Sequence, residues 1–262
     1  GLLTAGDYEG VKQAIFFLNR TARKDGGIAH EFTADFEHHL TYTIGGPHNT
    51  SFIELVHRYY VSTLDKETIL QVYPQLKKIF SAILALTDDT GMYLTRGMGT
   101  DFPEEFGRTA FGYVALEMGW WYNATRYMEK LARVAEDEET AGKSREVGDK
   151  VKRNFLPLFY NAELGYLCEA VHPIFEPERW AVDGDKNDTP LITNIGCMLG
   201  FYGEDLIFPK IKEITEFSEK HLLTPAGIRY KPAGEKRGFY GWTRIGENWF
   251  PCHDIYLVRH LN

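Results

Sequence analysis

The chain has 262 residues, 44% of them apolar, which is enough for one sizeable core and excludes a disordered class. Its 29 Lys and Arg stand against 37 Asp and Glu, a formal charge of −8, which argues against a nucleic-acid backbone binder and against docking on anionic lipid. No run approaches the roughly 18 apolar residues of a membrane span, and no signal peptide is visible in residues 1–10; a soluble protein is expected. Cys168, Cys197 and Cys252 contain no CxxC pair and make no disulfide framework. Aromatic residues form 14% of the chain. They serve either a large aromatic core or a sugar cleft, since aromatic faces stack on the apolar faces of sugar rings.

In chain order, Asp7 to Arg23 reads as a first helix, with Val11, Ile15, Phe16 and Leu18 on one side. Asn49 to Leu64 is the second, carrying Phe52, Leu55, Val56, Tyr59 and Tyr60. Asp65 fits an N-cap, with Lys66, Glu67 and Thr68 as the first turn of the third helix. That helix places Leu70, Tyr73, Leu76, Ile79, Phe80, Ile83 and Leu84 on one apolar stripe, and Pro74 is expected to kink it. The fourth runs from about Arg108 to Glu136 and passes through an acidic turn into the fifth, Thr140 to Tyr160. Residues 161–165 form a turn, and Tyr166 to Cys168 a short extended piece. Thr189-Pro190 starts a sixth helix, Thr as N-cap and Pro at the first position. It ends at Tyr202, Glu204 to His221 is its partner, and Trp249 to His260 is the last. These are eight helices and no sheet.

Four long connections separate the helix pairs: Gly26 to His48, Thr87 to Gly107, Val171 to Asp188 and Thr224 to Asn248. Long loops in a compact domain are usually functional. Helix pairs joined in this way point to an all-α toroid of helical hairpins, read here as a single domain over 1–262.

Two of the loops concentrate chemistry. In Met98-Gly99-Thr100-Asp101-Phe102-Pro103 one aspartate sits between apolar residues, where lost hydration raises a carboxyl group toward what a general acid needs. The other reading is that Asp101, Glu104 and Glu105 complement the dipole of the helix that follows. The last long loop mixes Arg229, Tyr230, Arg237, Tyr240, Trp242 and Arg244 before Glu247 and Trp249. Guanidinium forks beside aromatic planes suit a polyol site, and a loop packed over a barrel end accounts for them equally. Asp183 to Asp188 lacks the sixth-place glycine and twelfth-place glutamate of a calcium loop and reads as a solvated turn. His30, His38, His39, His48 and His57 come without HExxH or CxxC, so no metal is expected. Cys252, His253 and Asp254 are consecutive on one helix and cannot form a triad. Trp120-Trp121-Tyr122 reads as core. Asn19, Asn49, Asn123 and Asn187 head glycosylation sequons, two of them inside expected helices.

Taken in order, several segments resemble the bacterial and archaeal glycogen-debranching, amylo-α-1,6-glucosidase-like family of six-hairpin glycosidases. The segments are Gly1 to Glu9, Gly27-Ile28-Ala29-His30-Glu31-Phe32, Asn49-Thr50-Ser51 with Glu54 to Tyr59, Trp121-Tyr122-Asn123-Ala124, and Gly246-Glu247-Asn248-Trp249-Phe250-Pro251. The resemblance implies an (α/α)6 toroid and hydrolysis of an α-glycosidic, glucose-type linkage with inversion. It implies Asp101 as general acid, some twenty residues before Trp121, and no cofactor. It departs at Gly99-Thr100, where the family carries a pair such as Trp-Met; this leaves the sugar open.

The toroid needs twelve helices against eight counted, which implies a domain truncated at both ends. Its base glutamate would lie beyond Asn262, with Glu247 as the substitute inside the chain. His30, Glu31, His48, Arg229, Tyr240, Trp242, Arg244 and Trp249 would line the sugar site. The partners expected are an oligosaccharide or glycoside and the remaining segments of the same polypeptide. Other enzymes of the same toroid stay open: an α-L-rhamnosidase-like hydrolase, a phosphorylase or a sugar epimerase. So does a non-catalytic carbohydrate-binding toroid.

Overall fold

Three pairs of helices, each turned at a capping aspartate, and a fourth joined by a 3-10 turn build most of the described part of the chain. The computed structural model describes residues 2–29, 31–32, 39–40, 44, 46–96, 111–172, 185–187, 195, 202–225, 227–229 and 232–234. The chain divides into two compact units, Gly1–Tyr93 with Asn123–Lys150, and Leu94–Tyr122 with Val151–Asn262.

The first unit contains α1 (Leu2–Ala5), α2 (Tyr8–Thr21), α3 (Pro47–Thr63) and α4 (Lys66–Leu84), with parts of α5 (Ala115–Val134) and α6 (Glu138–Phe159). A two-stranded antiparallel hairpin, β1 (Glu31–Phe32) and β2 (His39–Leu40), stands between α2 and α3. Its core is made by Val11 and Ile15 of α2, Phe52, Ile53, Val56 and Tyr59 of α3, and Ile69, Val72, Leu76, Ile79, Phe80 and Ile83 of α4. Spacings of three and four hold each set on one face, and each buried aliphatic side chain contributes about 1.5–3 kcal/mol. The expected stripe of α4 is buried from Tyr73 to Ile83 and is widened by Ile69 and Val72, whereas Leu70, expected in it, is 46% exposed. α4 is continuous through Pro74, which lies on its exposed side.

Three corners of this unit share one construction. A residue of positive φ precedes an aspartate at Gly6-Asp7, Leu64-Asp65 and Glu136-Asp137, with φ of 78°, 57° and 62°. The left-handed residue turns the chain, and the aspartate accepts from the backbone three residues on. Asp7 takes the Gly10 N–H at 2.9 Å, Asp65 that of Thr68 at 3.0 Å and Asp137 that of Thr140 at 3.0 Å. The expected N-cap at Asp65 is therefore present, and the acidic turn at 136–139 hides a second of the same kind. In the first unit the two helices α5 and α6 approach closely at Gly148: a Cβ there would lie 2.5 Å from Thr125 Oγ1.

The second unit corrects the expectation of no sheet. Among the described residues it holds a four-stranded antiparallel sheet in the order β3 (Thr95–Arg96), β4 (Phe111–Val114), β7 (Ala170–His172), β8 (Asp185–Asn187). Two hairpins accompany it: β5 (Tyr160–Asn161) with β6 (Tyr166–Leu167), and β9 (Leu223–Thr224) with β10 (Gly227–Ile228). The helix expected from Arg108 begins instead at Ala115, because the aromatic and β-branched run 111–114 is paired on both sides. The helix expected from Glu204 to His221 is divided into α7 (Glu204–Ile207) and α8 (Ile211–His221) by a 3-10 turn at Phe208–Lys210, where Pro209 lacks the N–H that would continue the α-ladder. The extended piece expected at 166–168 is β6. The helices expected at 189–202 and 249–260 lie outside the described residues, Ile195 and Tyr202 apart.

The far ends of α2, α4, α6 and α8 also share a device. Each helix is followed by a tight turn with a glycine at positive φ: Gly26, Gly91, Gly165 and Gly227. In three of them the turn opens on a side chain that bonds within it. Asn161 Oδ1 accepts from the Glu163 and Leu164 N–H groups, Asp88 Oδ1 accepts from Thr90 N–H, and Thr224 Oγ1 donates to the Gly227 carbonyl. The recurring order is helix pair, glycine turn, long loop. Among the described residues this is the predominantly helical, helical-hairpin architecture that the sequence leads one to expect, with short strands added.

Candidate active site

The glycine turns deliver the chain into the loops that carry the candidate residues. In the first unit, residues 26–29 are buried. The Gly26 carbonyl accepts from Gln75 Nε2 at 2.7 Å, and the Ile28 N–H donates to Asn49 Oδ1 at 2.8 Å. Asn49 Nδ2 donates in turn to the Ile44 carbonyl at 2.9 Å. Both stems of the β1–β2 hairpin are thus tied to the first turn of α3. Glu31 begins β1 opposite Leu40, and His48 occupies the start of α3, half-buried and next to Asn49. His30 lies outside the described residues, between Ala29 and Glu31. The structure therefore brings the Glu31 backbone and His48 onto elements clamped by one side chain.

His57, from the same histidine-rich stretch, has a different role. It is 5% exposed on α3 and stacks on Tyr127, with ring centroids 4.7 Å apart. Burial, reinforced by the neighbouring Arg58 and Lys130 cations, lowers its pKa to about 4, so it is neutral at pH 7. It is a core histidine. No group of three or more His, Cys, Asp or Glu suited to a metal ion is found among the described residues.

In the second unit the sheet places the loop stems. Thr95 pairs with Gly112 and Arg96 with Phe111, so Arg96 and Phe111 stand side by side at one end of the sheet. His172 pairs with Asp185, and the antiparallel register of β4 with β7 puts these two residues at that same end. Asp101, between Arg96 and Phe111 in the sequence, lies outside the described residues. So do Glu247, Tyr240, Trp242, Arg244 and Trp249. Arg229 is described: half-buried, it follows β10, and its N–H donates to the Leu222 carbonyl at 2.9 Å.

Two carboxyl groups of this unit were not singled out from the sequence. Glu117, in the first turn of α5, and Glu169, between β6 and β7, are each 2% exposed. The Ala115 N–H donates to the Glu169 carbonyl at 2.9 Å, which sets the Glu169 backbone against the start of α5, the helix whose first turn carries Glu117. A glutamate inside an apolar run, Leu116-Glu117-Met118 or Cys168-Glu169-Ala170, was the available signal, since a carboxyl group is seldom fully buried without a polar role. Trp121 and Tyr122 are fully buried, as expected of core, and the Tyr122 hydroxyl donates to Asp205 Oδ2 at 3.2 Å. Among the sequons, Asn49 and Asn123 are buried. Cys168 is a buried free thiol.

No protein-family model matches the sequence, and comparison with curated proteins gives no match. Among solved structures, a rhamnosidase from Klebsiella oxytoca with rhamnose bound is similar in fold. The TM-score is 0.58 at 14% sequence identity, over 81% of this chain and 38% of that one. At this identity the likeness is one of fold. This chain spans well under half the length of that structure. No described helix is long and apolar enough to cross a membrane.

Proposed function

We propose that the chain is part of a glycoside hydrolase that cleaves an α-glycosidic bond with inversion. The observation that carries this reading is the similarity of fold, over 81% of the chain, to a rhamnosidase with its sugar bound. The ordered segments resembling the glycogen-debranching family support it independently and favour a glucose-type substrate. The rhamnose in the similar structure favours a second reading of the substrate, an α-L-rhamnoside.

In this proposal Asp101 protonates the glycosidic oxygen as the bond to the anomeric carbon breaks. A second carboxylate takes a proton from the water that attacks the opposite face. Inverting enzymes hold two such groups roughly 6.5–9.5 Å apart, leaving room for that water. Glu247 is the candidate base within this chain. The stems of the Asp101 segment are fixed by the Thr95–Gly112 and Arg96–Phe111 pairs, a rigid base for an acid that must meet a bound oxygen. In this proposal His30, Glu31, His48, Arg229, Tyr240, Trp242, Arg244 and Trp249 supply hydroxyl partners and stacking planes.

The test is Asp101→Asn in the natural full-length polypeptide. Turnover of an aryl α-glycoside should fall about 10²–10⁴-fold, the range for loss of a general acid, while sugar binding is kept. Unchanged turnover removes Asp101 from the mechanism.

A further inference from the structure

We infer that each helix pair of the first unit is strapped to the next by a lysine, and that the strap sets the strength of the next pair's helix cap. The device is written in the sequence as a repeat: an apolar residue, a lysine, and a second apolar residue three positions after the lysine. It occurs as Val11, Lys12 and Ile15 in α2, as Leu76, Lys77 and Phe80 in α4, and as Val151, Lys152 and Phe155 in α6. All six apolar residues are buried. Within each repeat they lie four apart on one helix face. The lysine stands one step round from that face, so its stem runs along apolar surface and its ammonium emerges at the rim.

Each ammonium reaches an aspartate further along the chain. Lys12 meets Asp65 Oδ2 at 3.0 Å and Lys77 meets Asp137 Oδ2 at 2.7 Å, 53 and 60 residues on. The second unit repeats the pairing once, with Lys152 at 3.7 Å from Asp205 Oδ2 in α7. Every one of these carboxylates also takes a tyrosine hydroxyl, from Tyr59, Tyr73 and Tyr122. Asp65 and Asp137 have a further duty. Asp65 caps α4 through the Thr68 N–H, and Asp137 caps α6 through the Thr140 N–H. One carboxylate therefore joins an ammonium from the pair before to the first turn of the helix behind it. A fixed ammonium holds the carboxylate in place for its cap, and the cap holds it for the ammonium, so the two bonds strengthen each other. The two straps run in series, from α2 to the corner of α3 and α4, then from α4 to the corner of α5 and α6. A cap alone would let a corner fray at no cost to the pair before it; the shared carboxylate links the two openings.

The test is native-state hydrogen exchange of the natural full-length polypeptide, read by mass spectrometry, with Lys77→Met and Lys12→Met. Both variants keep an apolar stem and remove the ammonium. Lys77→Met should speed exchange in the first turn of α6, residues 138–142, by about threefold or more, and leave the first turn of α4, residues 66–70, within about twofold. Lys12→Met should do the reverse. In an Asp137→Asn background Lys77→Met should change the α6 turn by less than about twofold, because the charge that the strap binds is gone. An unchanged α6 turn in Lys77→Met overturns the inference. So does equal acceleration of both turns by either variant, which reports a general loss of stability, or an effect of Lys77→Met that survives Asp137→Asn in full. If Asp137→Asn does not fold, the contrast between the two lysine variants decides. The readout involves no sugar, so either result leaves the glycosidase reading untouched.

Discussion

The aspartates of the helix corners and Asp101, the proposed general acid, stand in different company, and the contrast shows what each can do. Asp65 receives the Thr68 N–H and hydroxyl, the Tyr59 hydroxyl and the Lys12 ammonium, at 3.0, 2.7, 2.8 and 3.0 Å. Asp137 receives the same set from Thr140, Tyr73 and Lys77, at 3.0, 2.9, 2.9 and 2.7 Å. The Thr68 hydroxyl at the first corner and the Lys77 ammonium at the second, with the other donors behind them, hold both carboxyl groups well below the usual range. An aspartate so surrounded is ionised at every working pH and can only bind and brace. A general acid must keep its proton until the transition state, which requires apolar neighbours and few donors. Met98, Phe102 and Pro103 around Asp101 supply those neighbours in sequence, on a segment whose stems, β3 and β4, are paired.

The sharpest probe of the first unit is acid. His57 has a depressed pKa, so the unfolded chain binds a proton that the folded chain refuses between about pH 6.5 and pH 4. Its contribution is complete above pH 6.5 and is lost as pH falls toward 4. By the conversion of about 1.4 kcal/mol per pK unit, the loss reaches at most about 3 kcal/mol. Chemical denaturation at pH 7 and pH 4 should show that His57→Phe, which keeps a ring beside Tyr127, loses less stability on acidification than the parent. An equal loss in both places the acid sensitivity elsewhere.

A smaller effect is expected at the corner. Asp137→Ala removes a cap and the shared acceptor of Tyr73 and Lys77, and should cost about 2 kcal/mol in equilibrium unfolding at neutral pH. A change within about 0.5 kcal/mol, the range of ordinary surface substitutions, would break the contrast between bracing and working carboxylates. The smallest effect has the opposite sign. Leu64 holds a left-handed φ of 57° while 72% exposed, so Leu64→Gly should stabilise by about 0.5–1 kcal/mol by relieving that conformation. A lower melting temperature would show that the Leu64 side chain does something its exposure hides.

The helices were legible wherever apolar spacing and a cap coincided. Asp65 with Thr68 marked the start of α4, and the apolar stripe behind it marked the core from Tyr73 to Ile83, missing only at Leu70, which looked as apolar as its buried neighbour Ile69. The sheet was not legible. Its strands are two to four residues long, too short for alternation to register, and Phe111 to Val114 continues smoothly into an amphipathic helix. Pairing with β3 and β7, a tertiary effect, sets the boundary at Ala115. The corner at Glu136-Asp137 was read as a solvated acidic turn because its partners, Tyr73 and Lys77, stand sixty or more residues away. At the candidate site the loops were marked by length and composition. The amide of Asn49 was not, because its work is visible only once Ile28 and Ile44 meet it.

The most direct test of the proposed activity is the configuration of the first product. Hydrolysis of an α-glycoside by the natural full-length polypeptide, followed by NMR from the first minutes, should release the β-anomer before mutarotation, with water and not phosphate consumed. Release of the α-anomer first, or of a sugar phosphate, would contradict the inverting two-carboxylate mechanism on which the assignment of Asp101 depends.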